Sequence, residues 1–157
     1  MNRLIRIGLV GAVAMISVVA VAQMKRPDPD QVAIDTRQSL MKLISNQFGP
    51  IAGMLRKQVP FNAEVVARNA ERVAMLGSMA PELFARDTRQ FKGMKTQAVD
   101  GIWNSQAEFK TKADGMVKAA DALVAAAKTG DEAATMKAAA DTGKACGACH
   151  DDFKSKN

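Results

Sequence analysis

Two cysteines and one histidine near the carboxyl end of the chain have the spacing of a chemical site. Cys146, Cys149 and His150 form a C-x-x-C-H run, and no other cysteine or histidine occurs among the 157 residues. On a helix these three side chains would project from one face, at positions i, i+3 and i+4. Such a run is the attachment signature of c-type haem: two thiols form thioethers with the vinyl groups, and the histidine ligates the iron.

Other uses of these three side chains fit the sequence less well. A structural zinc site would need a carboxylate as its fourth ligand, which is uncommon. A thioredoxin-like dithiol belongs to a βαβ pattern, which the sequence lacks. An interpretation without chemistry, two buried thiols and a surface histidine at a frayed helix end, stays open. We predict one covalently bound haem c with its iron, attached through Cys146 and Cys149, with His150 as the proximal axial ligand.

The amino terminus has the pattern of an export signal, which agrees with haem attachment outside the cytoplasm. Arg3 and Arg6 precede an apolar run from Ile7 to Val19, and Ala20-Val21-Ala22 is an A-x-A cleavage site. We therefore predict a cleaved secretory signal peptide over residues 1–22, a single domain over residues 23–157, and a periplasmic protein. The apolar run is short for a membrane span of about 20 residues, so we expect none in the mature protein, with retention as an anchor as the alternative.

Composition narrows the classes of partner. Removing the leader would take away two of the 22 basic residues and none of the 16 acidic ones, leaving a formal charge of +4. One Trp and no Tyr offer no stacking platform for bases, so a nucleic-acid partner is not expected. No disulfide is expected either, because the haem would use both thiols.

Apolar side chains recur at helical spacing over four stretches, and no strand is indicated. An internal Gly49-Pro50 should kink or split the first stretch, and a loop with at most one short turn should separate the second from the third. Short connections between long helices favour an all-α, antiparallel four-helix bundle with the haem in its core. The expected helices span residues 30–57, 62–79, 102–128 and 131–154, with a loop at 80–99.

The chain resembles the class II c-type cytochromes, that is, the cytochrome c-prime family and its low-spin, Met-ligated relatives. The resemblance covers essentially all of residues 23–157. It is carried by the C-terminal position of the C-x-x-C-H run with Phe153-Lys154 after it. Two further matches are Thr36-Arg37-Gln38-Ser39-Leu40-Met41, similar to an R-Q-x-x-[LM] segment, and Ile102-Trp103 followed by Phe109.

The resemblance implies roles for three residues of the first helix. Arg37 and Gln38 match positions on the propionate side of the haem, although a solvated surface position for Arg37 stays open. Met41 matches the distal position, where it is either a sixth ligand of the iron or only packs over it. Lys154 stands where the family often has an Arg that stacks on the proximal imidazole, and an ammonium group cannot stack in that way.

Two functions follow from the resemblance. The first is electron transfer with periplasmic redox partner proteins, without enzymatic activity. The alternative is a high-spin protein that binds NO or CO, for NO buffering or sensing. A peroxidase-like enzyme is disfavoured because no polar acid–base pair is indicated above the iron. The resemblance also implies a homodimer formed through the first two helices.

Overall fold

The structure, a computed structural model, describes residues 26–156. Within that range the chain is helical, and its only β pairing is an isolated antiparallel bridge between Ala98 and Lys154. The helices are α1 (Pro29–Leu55), α2 (Ala63–Ser78), α3 (Ala80–Leu83), α4 (Gly101–Asn104), α5 (Gln106–Lys128) and α6 (Glu132–Phe153). The predicted leader, residues 1–22, lies outside the described residues. No helix of the described part is long and apolar enough to cross a membrane.

The four long helices form the bundle that the sequence predicted. Helix α2 packs most extensively on α5, α5 packs on α6, and α1 packs on α2, whereas α1 contacts α6 much less. One buried cluster surrounds Phe84, Phe109 and Phe153 at the end of the bundle that carries the long loop. A second cluster, around Ile51 and Leu123, fills the opposite end.

The predicted starts of two helices are confirmed by their caps. Asn62 Oδ1 accepts a hydrogen bond from the amide of Val65 at 2.9 Å, and Asp131 Oδ1 accepts one from the amide of Ala134 at 3.0 Å. Each bond satisfies an amide that the first helical turn leaves without a partner. Between α5 and α6, Gly130 has a φ of 77°, a left-handed conformation that glycine adopts without steric cost.

Of the two expectations at Gly49-Pro50, the split is wrong, because α1 continues through Pro50, and the kink stays a prediction. Pro50 removes one helical hydrogen bond, yet the apolar stripe continues on both sides of it. Ile44 is 9% exposed and Ile51 is fully buried, so both halves of the helix pack into the bundle. Packing of this stripe against the bundle core outweighs the local preference for a break.

The third predicted helix is interrupted, which corrects the prediction of one continuous helix over residues 102–128. Ser105 leaves the helical conformation, with φ of −134° and ψ of 51°, and separates α4 from α5. The interruption lets the indole of Trp103 donate to the carbonyl oxygens of Phe84 and Arg86, both at 3.0 Å. Phe109 meanwhile stays buried in the core. Tertiary hydrogen bonds to the loop thus account for the break.

Candidate functional site

The last turns of α6 carry the C-x-x-C-H run. The helix continues unbroken to Phe153, so Cys146, Cys149 and His150 have the i, i+3, i+4 arrangement that the sequence predicted. Both thiols are free and half-buried, and His150 is exposed. No three His, Cys, Asp or Glu side chains within residues 26–156 form a group able to hold a metal ion. Because of the i, i+3, i+4 spacing, the three motif side chains lie along one edge of α6, an arrangement suited to holding a flat macrocycle.

Burial changes the protonation chemistry of these side chains. Desolvation raises the pKa of the Cys146 thiol and of the Cys149 thiol, and the nearby charge of Lys112 opposes the rise at Cys149. Desolvation also lowers the pKa of His150, and Lys154 lowers it further. A lowered pKa favours the neutral imidazole, which is the form that binds a metal.

Met41 is a residue of α1 that shares a core cluster with the two cysteines of the motif. It is partly buried and packs on this cluster together with Cys146 and Cys149. Helices α1 and α6 contact each other much less than the other neighbouring pairs of long helices. A flat group inserted at the seam between α1 and α6 would therefore disrupt the fewest helix–helix contacts. Two thiols, an imidazole and an apolar cluster along this seam fit the donor set and the surroundings that haem c requires.

Arg37 is buried, with only 4% of the residue exposed, so the interpretation as a solvated surface residue is wrong. Its Nε donates to the carbonyl of Leu83 at 2.7 Å, its Nη1 to Thr88 Oγ1 at 2.8 Å, and its Nη2 to the carbonyl of Arg86. Burial lowers its pKa, and the charge of Asp30 opposes that effect. The guanidinium therefore ties α1 to the loop after α3.

Aromatic rings flank the Arg37 guanidinium. Its central carbon lies 5.2 Å from the centre of the Phe84 ring and 5.4 Å from the centre of the Trp103 ring, within the range of cation–π contacts. A guanidinium has five N–H donors, so three hydrogen bonds to the loop leave two N–H groups for another acceptor. Gln38, next to Arg37, donates from Nε2 to the carbonyl of Lys95 at 2.9 Å.

Phe153 connects the end of α6 to the core. Its ring meets that of Phe109 edge-on, with ring centres 5.3 Å apart, and Phe109 in turn lies 5.0 Å from Phe84. The segment after α6 also pairs with the loop, since the amide of Ser155 donates to the carbonyl of Gln97 at 2.8 Å. Phe84, Trp103 and Phe153 all pack on the core cluster, as expected for core residues.

Two residues that contact the candidate site residues or the motif backbone were not found from the sequence. Lys112 of α5 donates to the carbonyl of Ala148 at 3.2 Å and forms an ion pair with Asp152. Thr88, only 4% exposed, accepts from Arg37. Both lie far along the chain from their partners, so no local spacing in the sequence points to these contacts.

Comparison with known proteins identifies the family. The sequence profile of the family described as Cytochrome C' matches residues 32–154. A cytochrome c' of Rubrivivax gelatinosus is 43% identical over 124 residues, which are 79% of this chain and 95% of that protein. A cytochrome c-554 of Cereibacter sphaeroides is 34% identical over 79% of this chain and 81% of that protein.

Solved structures agree with the sequence comparison. The crystal structure of the Rubrivivax gelatinosus cytochrome c' is matched with a TM-score of 0.70 at 42% identity, over 78% of this chain and 94% of that one. A nitric oxide complex of a variant of cytochrome c prime from Alcaligenes xylosoxidans is matched with a TM-score of 0.70 at 29% identity, over 81% and 97%. Together with the C-x-x-C-H run at the end of α6, these matches show that the chain belongs to the cytochrome c' family and carries one covalently bound haem c.

Proposed function

We propose that this protein is a periplasmic electron-transfer cytochrome and not an enzyme. When bound, the haem supplies a one-electron iron couple. In the proposal Cys146 and Cys149 provide the thioether links, and the neutral imidazole of His150 is the proximal ligand. The observation that carries the proposal is the packing of Met41 on the same apolar cluster as the two cysteines. A thioether opposite a histidine is the ligand pair of cytochromes c with raised potential.

The polar groups of the bundle support transfer without catalysis. The chain has one histidine, so no second imidazole is available on the distal side. Arg37 already donates three hydrogen bonds to loop oxygens. Its two remaining N–H groups, with the neighbouring amide of Gln38, are suited to the haem propionates, in line with charge-assisted bonding of arginine to carboxylates. Peroxide cleavage would need a free acid–base pair, which these residues do not supply.

A second candidate function is binding of NO or CO. The favouring observation is that a variant of a relative of 29% identity has been solved as a nitric oxide complex. In this case Met41 packs over the iron without binding it, and the apolar cluster around Met41 admits small uncharged molecules. The two functions therefore differ in what the Met41 sulfur does.

Visible spectra of the ferric and ferrous holoprotein, with and without CO, separate the two functions. Electron transfer with Met41 as a ligand predicts low-spin spectra that CO does not change. The Met41→Ala variant should then become high-spin and respond to CO. Lys42→Ala, an exposed neighbour on α1, is the matched control and should leave the spectra unchanged. A high-spin wild-type ferrous spectrum that CO alters would reject electron transfer through Met41 and support gas binding.

The exposed apolar side chains of the first two helices support a homodimer. Val32 and Leu43, 46% and 50% exposed, lie eleven residues apart and thus on one face of α1. Met75 and Met79 at the end of α2 are 57% and 44% exposed. Large apolar side chains clustered at a surface mark interaction sites, and α1 packs directly on α2.

Sedimentation of the holoprotein tests the dimer. A Leu43→Glu, Met75→Glu double variant should sediment as a monomer, because two charges on each face would be buried without partners. Val59→Glu changes an apolar side chain of similar exposure, 46%, in the turn between α1 and α2, and it should leave the dimer intact. A wild-type protein that is monomeric at all concentrations contradicts the proposal.

Export completes the proposal. Cleavage after Ala22 would release a mature chain that begins at Gln23, and attachment of haem c takes place outside the cytoplasm. The mature formal charge of +4 and the scarcity of aromatic residues support protein redox partners over nucleic acid.

A further inference from the structure

Lys112 reaches from α5 to the turn of α6 that carries the haem motif. Its Nζ donates to the carbonyl of Ala148 at 3.2 Å. Ala148 lies between the two cysteines and directly precedes Cys149. The same ammonium group forms an ion pair with the carboxylate of Asp152, two residues beyond His150. The ammonium group of Lys112 therefore contacts α6 both within the haem motif and two residues after it.

The lysine of this ion pair is less exposed than the lysines of the other ion pairs on the same two helices. Lys110 pairs with Asp114 along α5 and Lys137 pairs with Asp141 along α6, and these lysine side chains are 62% and 81% exposed. The Lys112 side chain is only 28% exposed and its partners lie on another helix. Its two contacts on α6 fix the ammonium group beside the backbone of the haem motif.

The pKa of Lys112 is raised, mainly by its hydrogen bond to Asp152, so the group stays a cation throughout the neutral range. Its charge also acts on Cys149. The lysine contacts the backbone of the motif, which means that it can set both the position of the last turn of α6 and the electrostatic potential there.

We propose that Lys112 is a positioning residue for the proximal side of the haem. It holds the Cys149–His150 turn against α5, and its charge, balanced by Asp152, tunes the reduction potential of the iron. The inference rests on the proposed ligation by His150 but not on the choice between electron transfer and gas binding. The wild-type spectrum is recorded first, so a failure of His150 ligation is seen there and not in the variants.

Midpoint potentials of holoprotein variants test the proposal. In Lys112→Met the carboxylate of Asp152 is left unbalanced, which favours the ferric state and lowers the potential. In Asp152→Asn the ammonium is left unbalanced, and the potential rises. The double variant should return close to the wild-type value. At a fixed solution potential, a shift of 59 mV in the midpoint potential changes the ferrous-to-ferric ratio tenfold. We expect each single variant to shift the midpoint potential by up to about that amount.

The controls separate charge from general damage to the fold. Lys110→Met removes an equal charge from the same helix without touching α6, and its potential should stay at the wild-type value. Lys112→Arg keeps the cation and should retain most of the wild-type potential. A purely structural role predicts shifts of the same sign in both single variants and no cancellation in the double variant, and that result would overturn the proposal. If Lys112→Met does not fold, Asp152→Asn alone decides: an unchanged or lowered potential overturns the proposal.

Discussion

Replacing both Cys146 and Cys149 with alanine is expected to abolish covalent haem attachment almost completely. The chain has no other cysteine, so no thioether could form elsewhere. His150 and the apolar cluster would remain, and any haem still held would be extracted by acidified organic solvent. The measurement is haem-stained denaturing electrophoresis, together with the pyridine haemochrome spectrum. Its principal band should move to longer wavelength when the vinyl groups are no longer saturated.

Gly147→Ala is the matched control for this experiment. A methyl group added at Gly147 meets nothing within 4 Å, so the change leaves the fold and the two thiols in place. The intact mass of the exported wild-type protein should equal residues 23–157 plus one haem, which tests the cleavage site at the same time. Haem that stays with the double alanine variant through denaturation would disprove attachment at Cys146 and Cys149.

Replacing Arg37 with methionine is expected to destabilise the holoprotein by about 3 kcal/mol, a value typical of lost charge-assisted hydrogen bonds. Methionine keeps much of the apolar stem but none of the donors. The carbonyl oxygen of Leu83 and the buried hydroxyl of Thr88 would then lose this donor, and the carbonyl oxygen of Arg86 would keep only the indole of Trp103. The contacts with the Phe84 and Trp103 rings would be lost as well.

Urea unfolding of the holoprotein measures this loss of stability. The urea concentration at the midpoint should fall, while the dependence of the unfolding free energy on urea concentration stays unchanged. Hydrogen exchange should show the loss of protection concentrated in residues 84–98, because the loop depends on this side chain. Arg86→Met is the control: it removes an exposed ion pair with Asp30 but keeps the Arg86 carbonyl that Arg37 uses. Exposed pairs contribute little, so only a small change is expected. Equal effects of the two substitutions would contradict a special role for Arg37.

Several features of the site could be predicted from short stretches of sequence. The C-x-x-C-H run and the helix around it depend on residues within five positions of one another. The predicted helix starts at residues 62 and 131 are likewise local, and the caps formed by Asn62 and Asp131 confirm both. The periodicity of apolar residues predicted the four long helices for the same reason, since it reports which face of each helix must be buried.

The wrong predictions share a different cause. The continuity of α1 through Pro50 and the interruption at Ser105 both oppose local preference, and both are explained by partners elsewhere in the chain. Trp103 donates to carbonyl groups 17 and 19 residues away, and these bonds require α4 to leave the axis of α5. Sequence periodicity carries no information about such partners.

The linear sequence was enough to predict the haem and the helical class, which are confirmed, because both follow from neighbouring residues. Export also follows from neighbouring residues and stays a prediction. Packing of the whole chain alone decided that Arg37 is buried under the loop, that Met41 shares a cluster with both cysteines, and that Lys112 holds the α6 turn. These contacts join residues dozens of positions apart. Their free energy comes from burial and hydrogen bonding between elements, which exist only once the bundle has formed.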